Sequence, residues 1–467
     1  MSGSNFLGVF LNPYFAQEEG VDRVLDRLCS WGVSALVTHP HVARPVEEGK
    51  GVRFPPLHVD GFKRILGRSL WGKRELYLET FWSFHPREQL YGDGPYRSVW
   101  RPIPEGIDPH TVRALLQGAG RRGMKAYLQL GPFLPPSLRT RDIPVLVDGK
   151  RYRDKRVAAA ACLNSPDAQR YALALVEDVL EQYPESEGLI LDWIEFGAYH
   201  LEEHFSCFCA HCAARAEIMG LEWEPMRRDV GRLWDWLHAL NPRELQRSRR
   251  VVTSLSEMLE LLQQRPGILQ FLKFKADTVT GFYRKVKELI DRKRPRGVEL
   301  VARGWPPPWN RSSGTDYRAL AEICQTVTPK LFTFDYSALP RWYGESIGDW
   351  NPDLPESDII EALLDWMNLP DDMGERRLDM YRIPAPTEPH PARIECYRGR
   401  LEEVAAQVDG KAHFRPFAHA YLPESQWRRM LELIRGIGPD GLWVQMYGYL
   451  NDEKARLLRE IWAQERV

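Results

Sequence analysis

The sequence predicts an α/β fold, a (β/α)8 TIM barrel with long helical and loop insertions. Three observations carry this. Short β-like runs alternate with amphipathic helical stretches to give eight strand–helix units. Such alternation demands parallel strands with right-handed crossovers, and eight of them favour a closed barrel over an open sheet. No Gly-x-Gly-x-x-Gly follows the first strand, so a dinucleotide-binding sheet is a poor fit.

The elements follow in order. Phe6 to Leu11 reads as a buried strand ended by Asn12-Pro13, and a helix then places Val21, Val24, Leu25, Leu28 and Trp31 on one face until Gly32. Ser34 to Thr38 is the second strand, ended by His39-Pro40-His41. A long irregular insert contains one spare strand, Leu76 to Phe81. A helix bearing Val112, Leu115, Leu116 and Ala119 stops at Gly123 and leads into the strand Lys125 to Leu130. The helix Asp167 to Gln182 precedes the fourth strand, Gly188 to Trp193. Val298 to Arg303, Lys330 to Asp335, Phe414 to Phe417 and Gly441 to Met446 complete the set, each with a helix after it. With no internal repeat and no dividing linker, residues 1–467 read as a single barrel domain. A mainly helical insertion is expected at about 206–296 and a loop excursion, rich in Pro, Asp and Trp, at about 340–393.

Composition narrows the function. The chain is 43% hydrophobic and 27% charged, ordinary for a globular protein. Its formal net charge of -1, with no long block of like charge, gives nucleic-acid binding little support. No apolar run reaches the roughly 18 residues a membrane span needs, and Met1 to Asn5 does not open a secretory signal. Seven cysteines in such a length are not a disulfide framework, so a reduced, cytoplasmic protein is expected. The 16 Trp are over-used, many near Pro or Gly in loops, where indoles suit stacking on ring-shaped ligands.

The sharpest local signal is Cys207-Phe-Cys209-Ala-His-Cys212. Three sulfurs within six residues suggest a soft metal site, and zinc prefers four tetrahedral thiolate or imidazole ligands. Cys162, His204 and His211 are the candidates for the fourth; a four-thiolate site would have no open position and would be structural. Free thiols or a redox pair are the competing reading, and Cys29, Cys324 and Cys396 read as core thiols.

Ala161-Cys162-Leu-Asn-Ser-Pro166, a strand ending in Glu195-Phe196-Gly197, and the Cys207-x-Cys209-x-x-Cys212 cluster together resemble the family 42 glycoside hydrolases, the zinc-bearing β-galactosidases. The resemblance covers roughly residues 158–215. It implies that Cys162, Cys207, Cys209 and Cys212 bind Zn2+, and that Glu195 is the general acid/base at the end of the fourth strand. Two departures accompany it. Ile194 replaces the family's Asn before the acid, and Phe417 to Tyr421 holds no carboxylate where the family carries its nucleophile; the next is Glu424. A remote relative with altered chemistry fits this better than a true β-galactosidase.

Glycoside hydrolysis needs one carboxylic acid and one carboxylate, so Glu195 with Asp192 or Asp335 is the catalytic candidate set. Asp192 and Glu195 differ by three positions and would point to opposite faces of a continuing strand unless the chain turns. His39 and His41 follow the second strand and could bind hydroxyls or act as base. His419 holds the same position at the seventh strand. Arg303 could clamp a carboxylate or phosphate. Trp82, Trp193, Trp305, Tyr336, Trp342 and Tyr447 are candidate sugar-binding aromatics, with loop packing as the alternative for about half of them. A hydrolase acting on a carbohydrate is therefore expected, with self-association left open. The alternatives are an isomerase, lyase or epimerase on an acidic sugar, resting on Arg303 and the histidines, and a non-catalytic sugar-binding barrel.

Overall fold

The computed structural model describes residues 6–57, 62–97, 101–152, 158–251, 254–295 and 297–463. The reading of Met1 to Asn5 lies outside these. Eight parallel strands close into a barrel: β1 (Leu7–Phe10), β2 (Ala35–Thr38), β3 (Lys125–Leu130), β4 (Gly188–Leu191), β5 (Glu299–Gly304), β6 (Thr326–Leu331), β7 (Phe417–His419) and β8 (Leu442–Gln445). Each pairs with its sequence neighbours, and β8 pairs with β1 to complete the ring. The predicted (β/α)8 fold is what forms. A short strand, His413–Phe414, pairs with the start of β6 just ahead of β7.

The strands are buried along almost their whole length, as expected when helices cover the outside and side chains fill the inside. At the N-terminal end the filling is aromatic and ionic. The rings of Trp443, Tyr127 and Phe6 meet edge to face, with centroids 4.8–6.5 Å apart. Arg415 lies 3.7 Å over Phe6 and donates at 2.8 Å to Glu299, which also accepts from Tyr127 Oη and Thr326 Oγ1. Gly8 makes this plug possible, because a Cβ there would fall 2.1 Å from the Trp443 ring. Gly8→Ala is expected to cost about 3 kcal/mol through overpacking, read as a lower urea midpoint or loss of soluble protein.

Three parts differ from the sequence expectation. The seventh strand is Phe417–His419 instead of Phe414 to Phe417, because Arg415 and Pro416 separate it from the short strand His413–Phe414. The sixth strand runs over Thr326–Leu331 instead of Lys330 to Asp335, so Asp335 falls in the first turn of a helix, Thr333–Trp350. The stretch 340–393 is not simply a loop: that helix continues through Pro340, and a second follows at Glu356–Met367. The region 206–296 is mainly helical, and its last helix, Pro266–Lys293, packs on the helix Pro166–Gln182. The spare strand is real. Leu76–Trp82 pairs antiparallel with both His41–Val46 and Val52–Phe54, forming a three-stranded flap between β2 and β3. No helix among the described residues is long and apolar enough to cross a membrane.

Candidate active site

The C-terminal ends of the strands open into a cleft with two lobes. One, about 450 Å³, lies between the barrel rim and the flap, which contributes Val52, Phe54, Leu78, Thr80 and Trp82. The other, about 320 Å³, extends over the barrel axis to Arg303, Asp335, His419 and Tyr449. Asn12, His39, Phe54, Pro56, Gln129, Asp192 and Trp193 line both and form the waist.

The floor of the waist is a buried charge cluster. β4 ends at Leu191, and the backbone turns at Trp193, whose φ of 62° is unusual for a bulky side chain. That turn places Asp192 and Glu195 on one cation instead of on opposite faces. Lys330 Nζ lies 3.5 Å from Asp192 Oδ1 and forms a short ion pair with Glu195 Oε1. Arg303 Nη1 donates to Asp192 Oδ2 at 3.2 Å and to Gln129 Oε1 at 3.0 Å, and its Nη2 donates to Gln445 Oε1 at 3.0 Å. Gln129 Nε2 completes the Asp192 shell at 3.1 Å. Phe417 packs 4.1 Å beneath the guanidinium.

The two carboxylates are pushed apart electrically. Burial would raise Asp192, but Arg303 and Lys330 outweigh it and hold the carboxyl below its ordinary range. Burial dominates at Glu195 and pushes it up against the pull of Lys330. Asp192 is thus the ionised group on the cleft surface. Glu195 lies behind it, its side chain 3% exposed, and lines an enclosed space of about 20 Å³ with Cys162 and Cys207 instead of either lobe. The Lys330 ammonium, delivered by β6, is what holds Glu195 there.

The predicted binding residues divide. His39, His41, Trp82, Trp193, Arg303 and His419 line the cleft. His39 Nδ1 meets the Gln129 carbonyl at 3.2 Å, which assigns the proton to Nδ1 and leaves Nε2 as acceptor. Burial lowers His39 to about 4, so the ring is neutral near pH 7. His41 stacks 4.1 Å from Trp82, its partner across the flap, and burial lowers it to about 3.

Four expected aromatics are packing residues. Tyr447 bonds Glu19 and Arg27 and stacks on Trp31, facing the outer helices. Tyr336 stacks 5.0 Å from Trp309 and donates to the Lys330 carbonyl at 2.6 Å. Trp305, 2% exposed, packs edge-on against Tyr199, and Trp342 lies tilted against the same ring at 6.4 Å. None of the four lines either lobe.

The four cysteines converge. Cys162, Cys207, Cys209 and Cys212 are buried and their sulfurs all lie within 4.8 Å of one another. Cys162 Sγ is 3.5 Å from Cys209 and Cys212 and 3.8 Å from Cys207. His204 and His211 are engaged elsewhere, with Tyr343 and Asp142. The backbone N–H of Val145 points at Cys207 Sγ and the Asn164 amide at Cys212 Sγ, both at 3.4 Å. N–H groups aimed at sulfur suit thiolates, so this buried cluster is fit to hold a metal ion. It ties the loop before the helix Pro166–Gln182 to the loop after β4.

Lys330, Gln129, Gln445 and Arg64 are the site residues the sequence reading missed. Gln129 and Gln445 had a signal: each is a polar residue in the last two positions of an otherwise mostly apolar strand. Pro329 lies inside β6, where a central strand rarely carries proline, and the expected strand begins just after it, at Lys330.

No family model matches this chain, and no curated protein matches it. Solved structures do match in fold. A β-galactosidase from the psychrophilic Marinomonas ef1 aligns over 98% of this chain and 58% of its own, at 11% identity and a TM-score of 0.51. A β-galactosidase from the Antarctic haloarchaeon Halorubrum lacusprofundi aligns over 97% and 57%, at 14% identity and 0.52. The catalytic domain of a β-amylase from Paenibacillus polymyxa aligns over 99% and 98%, at 9% identity and 0.51. This chain therefore spans less than three fifths of the two β-galactosidases. At these identities the likeness is one of fold.

Proposed function

We propose that this protein is a glycoside hydrolase whose working carboxylates are Asp192 and Asp335. The observation that carries the reading is Asp192 itself: an ionised carboxylate on the surface shared by both lobes, fixed by Arg303, Lys330 and Gln129, beside the Trp193 indole. Asp335 shares the axial lobe with it and supplies the second carboxyl that glycoside hydrolysis requires. His39 Nε2 offers an acceptor to a sugar hydroxyl, and Trp82 and Trp193 offer faces to sugar rings. Glu195 acts through Lys330 as a positioning residue. That two β-galactosidases and a β-amylase are built on this barrel supports the reading.

The thiol cluster is assigned to structural zinc. A tetrahedral site with Zn–S near 2.3 Å places its sulfurs about 3.8 Å apart, close to the spacing found. Bound there, zinc would brace the loops behind Glu195 and take no part in the chemistry. A reducing, cytoplasmic setting suits seven free cysteines.

The test is a screen of chromogenic glycosides, uronic and sialic acid derivatives included, repeated in 18O-water on any substrate turned over. Release of a reducing sugar carrying one 18O is expected. Turnover to a product without the label would replace hydrolysis with isomerisation or elimination, and saturable binding without product would leave a sugar-binding barrel.

A further inference from the structure

The axial lobe carries a second feature that the hydrolytic pair does not use. Arg64 lines it, with its guanidinium 5.1 Å over the Phe334 ring. Its one hydrogen bond with a described residue is a long one, 3.3 Å, from Nη2 to the Pro56 carbonyl. Among the described residues its buried Nε has no acceptor and Arg64 makes no ion pair, although Asp335 shares the lobe. Arg303 differs in this respect, since Asp192 neutralises it.

The surroundings of Arg64 are donors too. Tyr449 lines the same lobe at 2% exposure, and its hydroxyl has no hydrogen-bond partner among the described residues. His419, also 2% exposed, accepts the Tyr421 N–H at Nδ1, so its proton is on Nε2. Burial first, then Arg64 and Arg303, hold His419 well below its ordinary range, so the ring is a neutral donor. The arrangement is fixed by backbone. The N–H groups of Gly67 and Arg68 both donate to the Gly448 carbonyl, at 2.8 and 3.0 Å, which locks the Arg64 segment to the loop after β8. A Cβ at Gly67 would meet the Tyr449 carbonyl at 2.8 Å, so a glycine is what lets the two segments touch.

We propose that Arg64, with Tyr449 Oη and His419 Nε2, forms a subsite for the carboxylate of a sugar acid, making this a cleft for uronic-acid glycosides. A planar guanidinium with a phenol and an imidazole N–H matches the oxygens of a carboxylate. The proposal deepens the hydrolase reading and rests on it for the word glycoside, whereas the binding measured below does not depend on turnover.

The test is calorimetric titration of the full chain with galacturonate and glucuronate, their neutral methyl esters, and a hexose 6-phosphate. The free acids are expected to bind about ten-fold tighter than the esters, a typical gain for a charge-assisted contact. Arg64→Met is expected to abolish that preference and Arg64→Lys to keep part of it. Tyr449→Phe, which breaks no described hydrogen bond, is expected to lower uronate affinity several-fold with an unchanged melting temperature. Equal binding of acid and ester, or a preference that survives Arg64→Met in folded protein, overturns the subsite. Tighter binding of the phosphate overturns the commitment to a carboxylate. Arg64-dependent uronate binding with no glycoside turned over leaves the subsite standing and removes the hydrolase.

Discussion

Replacing Asp192 with Asn is expected to lower turnover of the true substrate by roughly 10³-fold or more while the barrel remains folded. The reason is electrostatic. Arg303 and Lys330 hold this carboxyl ionised where both lobes meet, and an amide cannot replace its charge at a developing oxocarbenium centre. The same change leaves two buried cations with Glu195 as their nearest described counter-charge, at a cost of about 3 kcal/mol, so the melting temperature must be read beside the rate. The pH dependence has a definite sign. With its folded pKa depressed, Asp192 contributes stability above its unfolded pKa, and that contribution fades as pH falls through the folded value. Glu195 works the other way: with its pKa raised, its relative contribution is greatest in acid and fades as pH rises through the folded value. Asp192→Asn should therefore flatten the acid side of the stability profile. Undiminished turnover would remove Asp192 from the chemistry. If the variant does not fold, Asp335→Asn gives the independent measurement, since Asp335 lies outside the Arg303 and Lys330 ion pairs.

The second large effect is expected at the sulfurs. Cys212→Ser should lose one equivalent of bound zinc per chain, measured by elemental analysis, and lower the melting temperature by roughly ten degrees. Cys212 is fully buried, and its partner Cys162 belongs to a different loop, so the cluster cross-links segments 50 residues apart. Cys324→Ser, at a buried thiol outside the cluster, is the control and should leave the metal content unchanged. Purified wild-type protein without zinc, or a variant that keeps it, would return the cluster to simple thiol packing.

The barrel was legible because hydrophobic periodicity reports helices and strands wherever packing alone decides the residue. The misreading of β6 shows where that stops. Thr326-Val-Thr-Pro-Lys-Leu331 is a central strand despite Pro329 and Lys330, because Lys330 is needed under Asp192 and Glu195. Local rules for strands were broken by the site itself. The expected strand, Lys330 to Asp335, therefore began after the proline and ran on past the true end of β6. The cysteines were legible because metal-ligand spacing is written in the chain. Glu195 was found, but its direction was not, since that depends on the turn at Trp193 and on a lysine two strands away. Arg64 left no trace, because an irregular insert carries no periodicity, and its place depends on Gly67 meeting Gly448.

The flap has one further consequence. It hangs between β2 and β3, and its side chains wall mainly the outer lobe, with Phe54 lining both, whereas the charge cluster is carried by strand ends and the loop after β4. The charge cluster and most of the outer lobe's flap wall are thus encoded in separate stretches of chain. Libraries confined to Val52, Leu78, Thr80 and Trp82 should alter which ligands the outer lobe accepts while leaving the Asp192 charge cluster intact.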